Sequence, residues 1–445
     1  MSTEIRGRSG MVEIDRARRT FRVRREVYRS PAIFEQELER VFGRCWLFIG
    51  HESEIEKPGA YVSRRVALRD LILVRSRNLG PRAYYNSCTH RGVLVCRERA
   101  GSAKVFTCPY HGWVFNTDGK LVHQGIEGGY GEEFNIDGRY DLVAVPRLEH
   151  YRGFYFVNFN PRAISLHDYL AGAKEYIDLV ADQTDIGHEL ISVPHEYSIE
   201  ANYKYLAENS YDGYHGVETH RSYFEFLGER LKAAGQQHLV TKMMADYPDM
   251  GEAGGLGMGH GYFWQQGNPS GKPVAAWHPS WGPDVKETIE SIRARLEARY
   301  GNTRMQRICE IQKNLVIFPN LVINDHLSTT VRMFQPESPT RMRVTAWAIG
   351  PKDEIPALRK VRLENFLTAM GPAGFASPDD NEMLELAQRG ITHTPIQWSD
   401  ISRGMHGDDD LLTAQRGWTD ECQMRAYWTQ WDRIMSGEES LSADA

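Results

Sequence analysis

The sequence has no long apolar run and no excess of one charge sign. Of its 445 residues 41% are apolar and 25% charged, and the net charge is -6. Those are the proportions of an ordinary globular chain. They give no reason to expect nucleic-acid or membrane binding. No segment approaches the roughly 20 apolar residues of a bilayer span, and the N-terminus has no apolar core of a secretory signal. The six cysteines, Cys45, Cys88, Cys96, Cys108, Cys309 and Cys422, are too few for a disulfide scaffold in a chain this long. A reducing cytoplasm is therefore the expected compartment. No nicotinamide or flavin fingerprint occurs. The glycine-rich run Gly251–Gly261 lacks a strand-then-helix context and a G-x-x-x-x-G-K-S/T pattern, so it reads as a flexible loop near a site, not a phosphate cradle. The chain is long enough for two or more domains.

Residues 1–40 are polar and basic, with arginines from Arg6 to Arg29 interspersed with Glu4, Glu13, Asp15 and Glu26. The mixed charge predicts a solvated or subunit-contacting arm instead of a transit peptide. Ser30-Pro31 opens a helix through Ala32–Phe42, proline being favoured at the first helical position. From Cys45 to Phe159 short β-rich runs, such as Tyr61-Val62-Ser63, Leu71–Val74, Lys104–Thr107 and Gly153–Phe159, alternate with Gly, Pro and Asn/Asp turns. Asn116-Thr117-Asp118-Gly119 carries a hairpin signal. This predicts a small all-β module set early in the chain. Beyond Asn160-Pro161, Leu166–Asp182 reads as helical, and the remainder mixes helices and strands. Leu315–Phe318, Leu321–Ile323 and the alternating Arg341–Ile349 read as strands. Ala357–Met370 reads as a helix stopped by Gly371-Pro372. Asp408-Asp409-Asp410 reads as a solvated acidic patch.

Two constellations carry chemistry. The first is Cys88-Thr89-His90 followed, after seventeen intervening residues, by Cys108-Pro109-Tyr110-His111. Each short loop offers one thiolate and one imidazole. Zinc takes two Cys and two His, but its fingers and ribbons usually keep two cysteines close together. A Rieske [2Fe–2S] centre needs two thiolates on one iron and two imidazoles on the other. The second is Glu208–His220, which holds Asn209, Asp212, His215 and His220 within thirteen residues. Two imidazoles and one carboxylate make the facial triad of non-haem Fe(II) oxygenases. The histidines are five apart, which argues against an H-E-x-x-H zinc protease. On a regular helix they would point about 140° apart. Both reach one ion only if the helix ends or distorts between them, as Gly213 and Gly216 permit.

With these motifs the chain resembles the large (α) subunits of Rieske non-haem iron aromatic ring-hydroxylating oxygenases. The resemblance rests on Cys88-x-His90-Arg91-Gly92, Cys108-Pro109-Tyr110-His111-Gly112-Trp113, Glu208–His220, and Gly371-Pro372-Ala373-Gly374 leading to Asp379-Asp380. Within the family it looks closest to the benzoate, toluate and anthranilate type, through His51–Ile55, Cys96-Arg97 and Ser377–Asp380. The resemblance implies an α+β fold in which an all-β Rieske [2Fe–2S] domain, 41–159, is inserted in an α+β catalytic domain. That domain, 1–40 and 160–445, would carry a curved antiparallel sheet flanked by helices.

It also implies the ligands. Cys88, His90, Cys108 and His111 would hold the cluster. His215 and His220 would hold mononuclear Fe(II), with Asp380 as third ligand and Asp379 as the alternative. Asp212 would link His111 of a neighbouring subunit to His215 or His220, in an α trimer with a small β subunit. Asn209 would face the iron pocket, although here two residues separate it from Asp212 where naphthalene-type members have three. Gly216, Met370 and Ala376 would wall the pocket, their small members leaving room for a substituted or multi-ring substrate. The sequence assigns no arginine to a substrate carboxylate; Arg221, next to a ligand, is the one candidate. The implied activity is the terminal oxygenase step of cis-dihydroxylation of an aromatic acid or hydrocarbon with O₂. Electrons from NAD(P)H would arrive through a reductase, with or without a ferredoxin. Monohydroxylation or demethylation at the same site is the alternative, and a non-catalytic zinc or electron-transfer protein the distant one.

Overall fold

The computed structural model describes residues 4–6, 9–126, 128–233, 235–266, 272, 277–278, 281–406, 416–439 and 441–443. The run Asp408-Asp409-Asp410 lies outside them. The chain forms two compact units. One is Phe42–Leu166 with the C-terminal residues from Leu441, and the other is Met1–Val41 with His167–Ser440.

The smaller unit is built of three antiparallel sheets. Ala60–Val66, Arg69–Ser76, Gly80–Tyr85 and Ala100–Ser102 form one. Val105–Thr107, Trp113–Asn116 and Leu121–Gln124 form the second, its hairpin turning at Gly119 with φ +85. Leu47–His51 joins the hairpin Arg147–Tyr151 and Phe154–Asn158 in the third. The unit extends past the expected 159 because the following segment is tied back: Arg147 donates to Ala163 O at 2.9 Å and Trp46 Nε1 to Ile164 O at 2.9 Å. The C-terminus joins it through Ile164 N to Leu441 O and Ala443 N to Arg162 O. Ile72, Val74, Trp113 and Phe115 form its core.

The larger unit centres on a nine-stranded antiparallel sheet. Its middle strands are His260–Gln265, Gln312–Ile317, Leu321–Asp325, Thr329–Ser338 and Arg341–Pro351. The helix Cys422–Ser436 packs on strands Gly251–Gly257 and His260–Gln265, and Tyr203–Asn209 packs on Thr329–Ser338. Ala376–Thr392 meets Tyr203–Asn209 and Gly216–Thr219.

Two segments differ from the expectation. The glycine-rich run is a strand pair, not a flexible loop, because its missing side chains admit close neighbours: a Cβ on Gly261 would stand 2.7 Å from the Tyr211 ring and 3.0 Å from Gln423. The basic arm is folded: Glu4–Arg6, Val12–Asp15 and Thr20–Arg24 form a sheet completed by Trp398–Asp400. There Val12, Phe21 and Val23 are buried while Arg22 and Arg24 cover the Trp398 ring at 5.3 and 4.6 Å. The helix expected over Ala357–Met370 is present and stops at Gly371, α-helical over Pro356–Asn365 and a π turn over Phe366–Met370.

Candidate metal centres and active site

The helix Tyr203–Asn209 starts at Asn202, whose side chain accepts from Lys204 N at 3.1 Å. It stops where Ser210 Oγ turns back to Leu206 O at 2.5 Å. Asn314 Nδ2 then donates to the freed Ser210 O at 2.7 Å. Asp212 Oδ1 accepts from Tyr214 N at 2.7 Å, forming a turn that leads into the single helical turn Gly216–Thr219. His215 and His220 flank that turn, one just before it and one just after. The five-residue spacing thus works because the helix is interrupted, as its geometry demands. The glycines serve by size instead of by left-handed φ. A Cβ on Gly213 would meet the Trp418 ring at 2.4 Å, and one on Gly216 the Tyr247 hydroxyl at 2.2 Å.

The helix Ala376–Thr392 brings in Asp380. His215 Nε2 and His220 Nε2 are 3.3 Å apart, and each lies 3.3 Å from Asp380 Oδ1. These three offer ligand atoms that all lie within 4.8 Å of one another. Asn209 Nδ2 stands 3.0 Å from Asp380 Oδ1 and 3.3 Å from His215 Nε2. Asp212 Oδ2 is 3.2 Å from the other nitrogen of His215, though bent from the ideal hydrogen-bond line. Asp379 is outside the triad: its Oδ2 lies 3.7 Å behind His220 Nδ1 and accepts from Ser222 Oγ at 3.1 Å. Burial disfavours a charged His215, but Asp212 and Asp380 outweigh it and push its pKa up to about 10. Burial also opposes ionisation of Asp380, yet the two histidines hold its carboxyl below the usual range.

In the smaller unit the two Cys/His loops fold alike. Cys88 N bonds Val93 O at 2.9 Å and Gly92 N bonds Cys88 O at 2.8 Å; Cys108 N to Trp113 O and Gly112 N to Cys108 O repeat the pattern at 2.7 and 3.1 Å. Gly92 and Gly112 turn at φ +76 and +72, values that suit glycine. Both cysteines are buried, and the His90 and His111 rings are 4.6 Å apart. His90 stacks on Trp113 at 4.7 Å. Its buried Nδ1 has no hydrogen-bond partner among the described residues, as a metal-ligating nitrogen would not. Among the described residues only the His215 triad crowds three ligand atoms within 4.8 Å. The wider loop set suits a two-iron cluster better than one tetrahedral zinc.

Beside the triad is a cavity of about 140 Å³, near the size that accepts one benzene ring. Gly216, Met370 and Ala376 line it, with Phe224, Met243 and Trp418 supplying apolar wall. The small Gly216 does not create room for a multi-ring substrate, because the Tyr247 hydroxyl occupies the space. One side is polar, and no sequence motif marks it: Gln265, Asn314, His326 and Arg332 all line the cavity. Arg221 lies elsewhere, exposed and paired with Glu218 at 3.2 Å.

Residues 167–437 match the family described as ring hydroxylating alpha subunit (catalytic domain), and residues 45–127 match the Rieske [2Fe-2S] domain. The chain belongs to the Rieske ring-hydroxylating dioxygenase α-subunit family. This oxygenase is similar to the 2-halobenzoate 1,2-dioxygenase large subunit of Burkholderia cepacia, 32% identical over 90% of this chain and 85% of the relative. It is also similar to the toluate 1,2-dioxygenase α subunit of Pseudomonas putida, 30% identical over 88% and 84%. A naphthalene 1,2-dioxygenase from Rhodococcus sp. bound to indole superposes with a TM-score of 0.78, 27% identity, and coverage of 94% and 95%. The oxygenase is an oxidoreductase whose cofactors are the [2Fe–2S] cluster of its Rieske domain and the mononuclear iron of its catalytic domain. Both donor sets fit: the loop pair offers two thiols and two imidazoles, the triad two imidazoles and a carboxylate.

Proposed function

We propose that His215, His220 and Asp380 hold the mononuclear iron, that Cys88, His90, Cys108 and His111 hold the cluster, and that the oxygenase cis-dihydroxylates a single-ring aromatic acid. The observation that carries this reading is the convergence of three ligand atoms within 4.8 Å on the wall of a one-ring cavity. The relatives named for halobenzoate and toluate, both ring carboxylates, support the acid.

When bound, the cluster supplies single electrons and the mononuclear iron supplies open positions where O₂ is activated beside the arene. The chain's own side chains orient and shield. Asp212 faces the second ring nitrogen of His215 and fixes its tautomer, leaving Nε2 toward Asp380. Asn209 donates to Asp380 and holds that carboxylate in place. Phe224, Met243 and Trp418 exclude water and confine the ring. In an α trimer the partner subunit's His111 would meet Asp212, giving electrons a hydrogen-bonded route between subunits. A small β subunit and a reductase drawing on NAD(P)H, with or without a ferredoxin, complete the system in the cytoplasm. No helix among the described residues is long and apolar enough to cross a membrane.

Metal and sulfide assays test the cofactor assignment. The expected content is about three Fe and two sulfides per chain; stoichiometric zinc without sulfide overturns it. Labelled O₂ with a panel of ring acids tests the reaction. Both oxygen atoms in a cis-diol are expected, and one atom in a phenol or a demethylated product overturns dihydroxylation.

A further inference from the structure

Arg332 projects from the central strand Thr329–Ser338 into the cavity floor and is only 3% exposed. Its partners among the described residues are neutral. Nε donates to Asn324 Oδ1 at 2.9 Å, Nη2 reaches Ser210 Oγ at 3.5 Å, and the Tyr197 hydroxyl lies against it. None of the carboxylates in the described residues forms a salt bridge with it. A buried guanidinium without a counter-ion is unusual, since the lost hydration must be replaced by a charge and hydrogen bonds.

The nearby buried carboxylate Asp325 is taken up elsewhere. Lys272 and Lys313 are buried beside Asp325, with Nζ to Oδ2 distances of 2.7 and 2.6 Å. Asp325 is already engaged by these two ammoniums, so it is not a counter-ion for Arg332. His326, next along the chain, senses all four charges. Its ring lines the cavity, and its buried Nε2 has no partner among the described residues. Burial and those cations keep the imidazole neutral, with its pKa lowered to about 3. A neutral ring can present an N–H on that nitrogen.

An anion on this floor would neutralise Arg332 and could accept from His326. Arg332 and His326 line the same cavity as His215, His220 and Asp380, so the guanidinium faces the space beside the ligand triad. A carboxylate held there places its own ring carbon beside the metal site. Guanidinium suits this task because its fork matches a carboxylate in plane.

We propose that Arg332 is the specificity-determining residue of this oxygenase: it anchors the carboxylate of a single-ring aromatic acid on the cavity floor, with His326 as second donor. The proposal rests on the ring-dioxygenase reading above and names the group that recognises its substrate.

The test compares benzoate with benzamide, nearly the same shape but uncharged, on the holoenzyme and on Arg332→Met. Calorimetric titration measures binding, and reconstituted turnover measures kcat and KM. Wild type should bind benzoate more tightly than benzamide. Arg332→Met should weaken benzoate by about tenfold or more, as loss of a charged hydrogen bond does. Benzamide binding should change far less, and the KM for benzoate should rise more than kcat falls. A preserved benzoate preference in Arg332→Met overturns the proposal. So does an equal loss for both ligands, which would make Arg332 a prop for the floor, and so does a wild type that does not discriminate. Iron content and cluster absorption report folding. Should Arg332→Met lose them, Arg332→Lys keeps the charge without the fork and should lower benzoate affinity while sparing benzamide; equal effects overturn the idea. Failure of the dioxygenase reading looks different: no arene is oxidised, yet the binding preference still tracks Arg332.

Discussion

His215 stands between two carboxylates, with Asp212 Oδ2 3.2 Å from Nδ1 and Asp380 Oδ1 3.3 Å from Nε2. One ring nitrogen thus faces the metal triad and the other faces a half-buried acid outside it. That polarity assigns separate work to the two carboxylates.

Asp212→Asn keeps the size and one acceptor oxygen but removes the charge. Charge-assisted hydrogen bonds are about twice as strong as neutral ones, so the link to His215 should loosen without loss of fold. Both metal sites should persist while most turnover is lost. Stopped-flow reoxidation of the reduced cluster, with substrate and O₂ present, should be slower in the mutant. Equal rates would leave Asp212 as a local turn-former through Tyr214 N.

Asp379 and Asp380 should separate cleanly. Asp380→Ala removes the oxygen shared by both imidazoles and should abolish mononuclear iron and oxygenation while sparing the Rieske spectrum, as should His215→Ala or His220→Ala. Asp379→Ala removes only a distant support behind His220, for which about a 10-fold loss of iron affinity is the expected scale. Metal analysis after dialysis reads both. Retained activity in Asp380→Ala with loss in Asp379→Ala would reverse the assignment.

Iron uptake should release protons. In stripped protein His215 has a pKa raised to about 10 by its two carboxylates, after the opposing cost of burial. At pH 8 it therefore carries a proton that ligation must displace. The sign for stability follows: a raised histidine pKa stabilises the stripped fold below about 6.5, and that contribution fades as pH rises through about 10. Proton release measured in weak buffer at pH 8 should approach one per mononuclear iron, and the Tm of stripped protein should fall from pH 7 to 10. No release, with a flat Tm, would leave the imidazole neutral beforehand.

Gly216→Ala should destabilise, although alanine is normally the better helix residue. Its Cβ would stand 2.2 Å from the Tyr247 hydroxyl, which donates to Gly213 O at 3.0 Å. Overpacking of this kind costs about 1–3 kcal/mol. Adding Tyr247→Phe removes the clashing oxygen and should recover part of the loss. A higher Tm for Gly216→Ala alone would mean that Tyr247 moves away freely.

The two Cys/His loops are legible because each brings its cysteine and histidine within a few residues, where spacing alone sets geometry. The paired histidines were legible for the same reason. Asp380 was not derivable from spacing, since it lies 171 residues from Asn209, which it meets at 3.0 Å; family resemblance had to supply it. In the basic arm the arginines mask the alternation of Val12, Phe21 and Val23, so its fold is not legible locally. Its sheet is completed by Trp398, a residue far along the chain.

Local order therefore determined the two Cys/His loops and the paired histidines, since short-range spacing and turn geometry are written into adjacent positions, but not Asp380. Tertiary structure alone decided the size and polarity of the cavity. Gly216 looks like spare room until Tyr247 fills it. Arg332 looks like any charge in a strand until both faces of Thr329–Gln335 prove buried. Burial turns that arginine from a solvated surface group into a cation in need of a partner, and burial is a property of the fold.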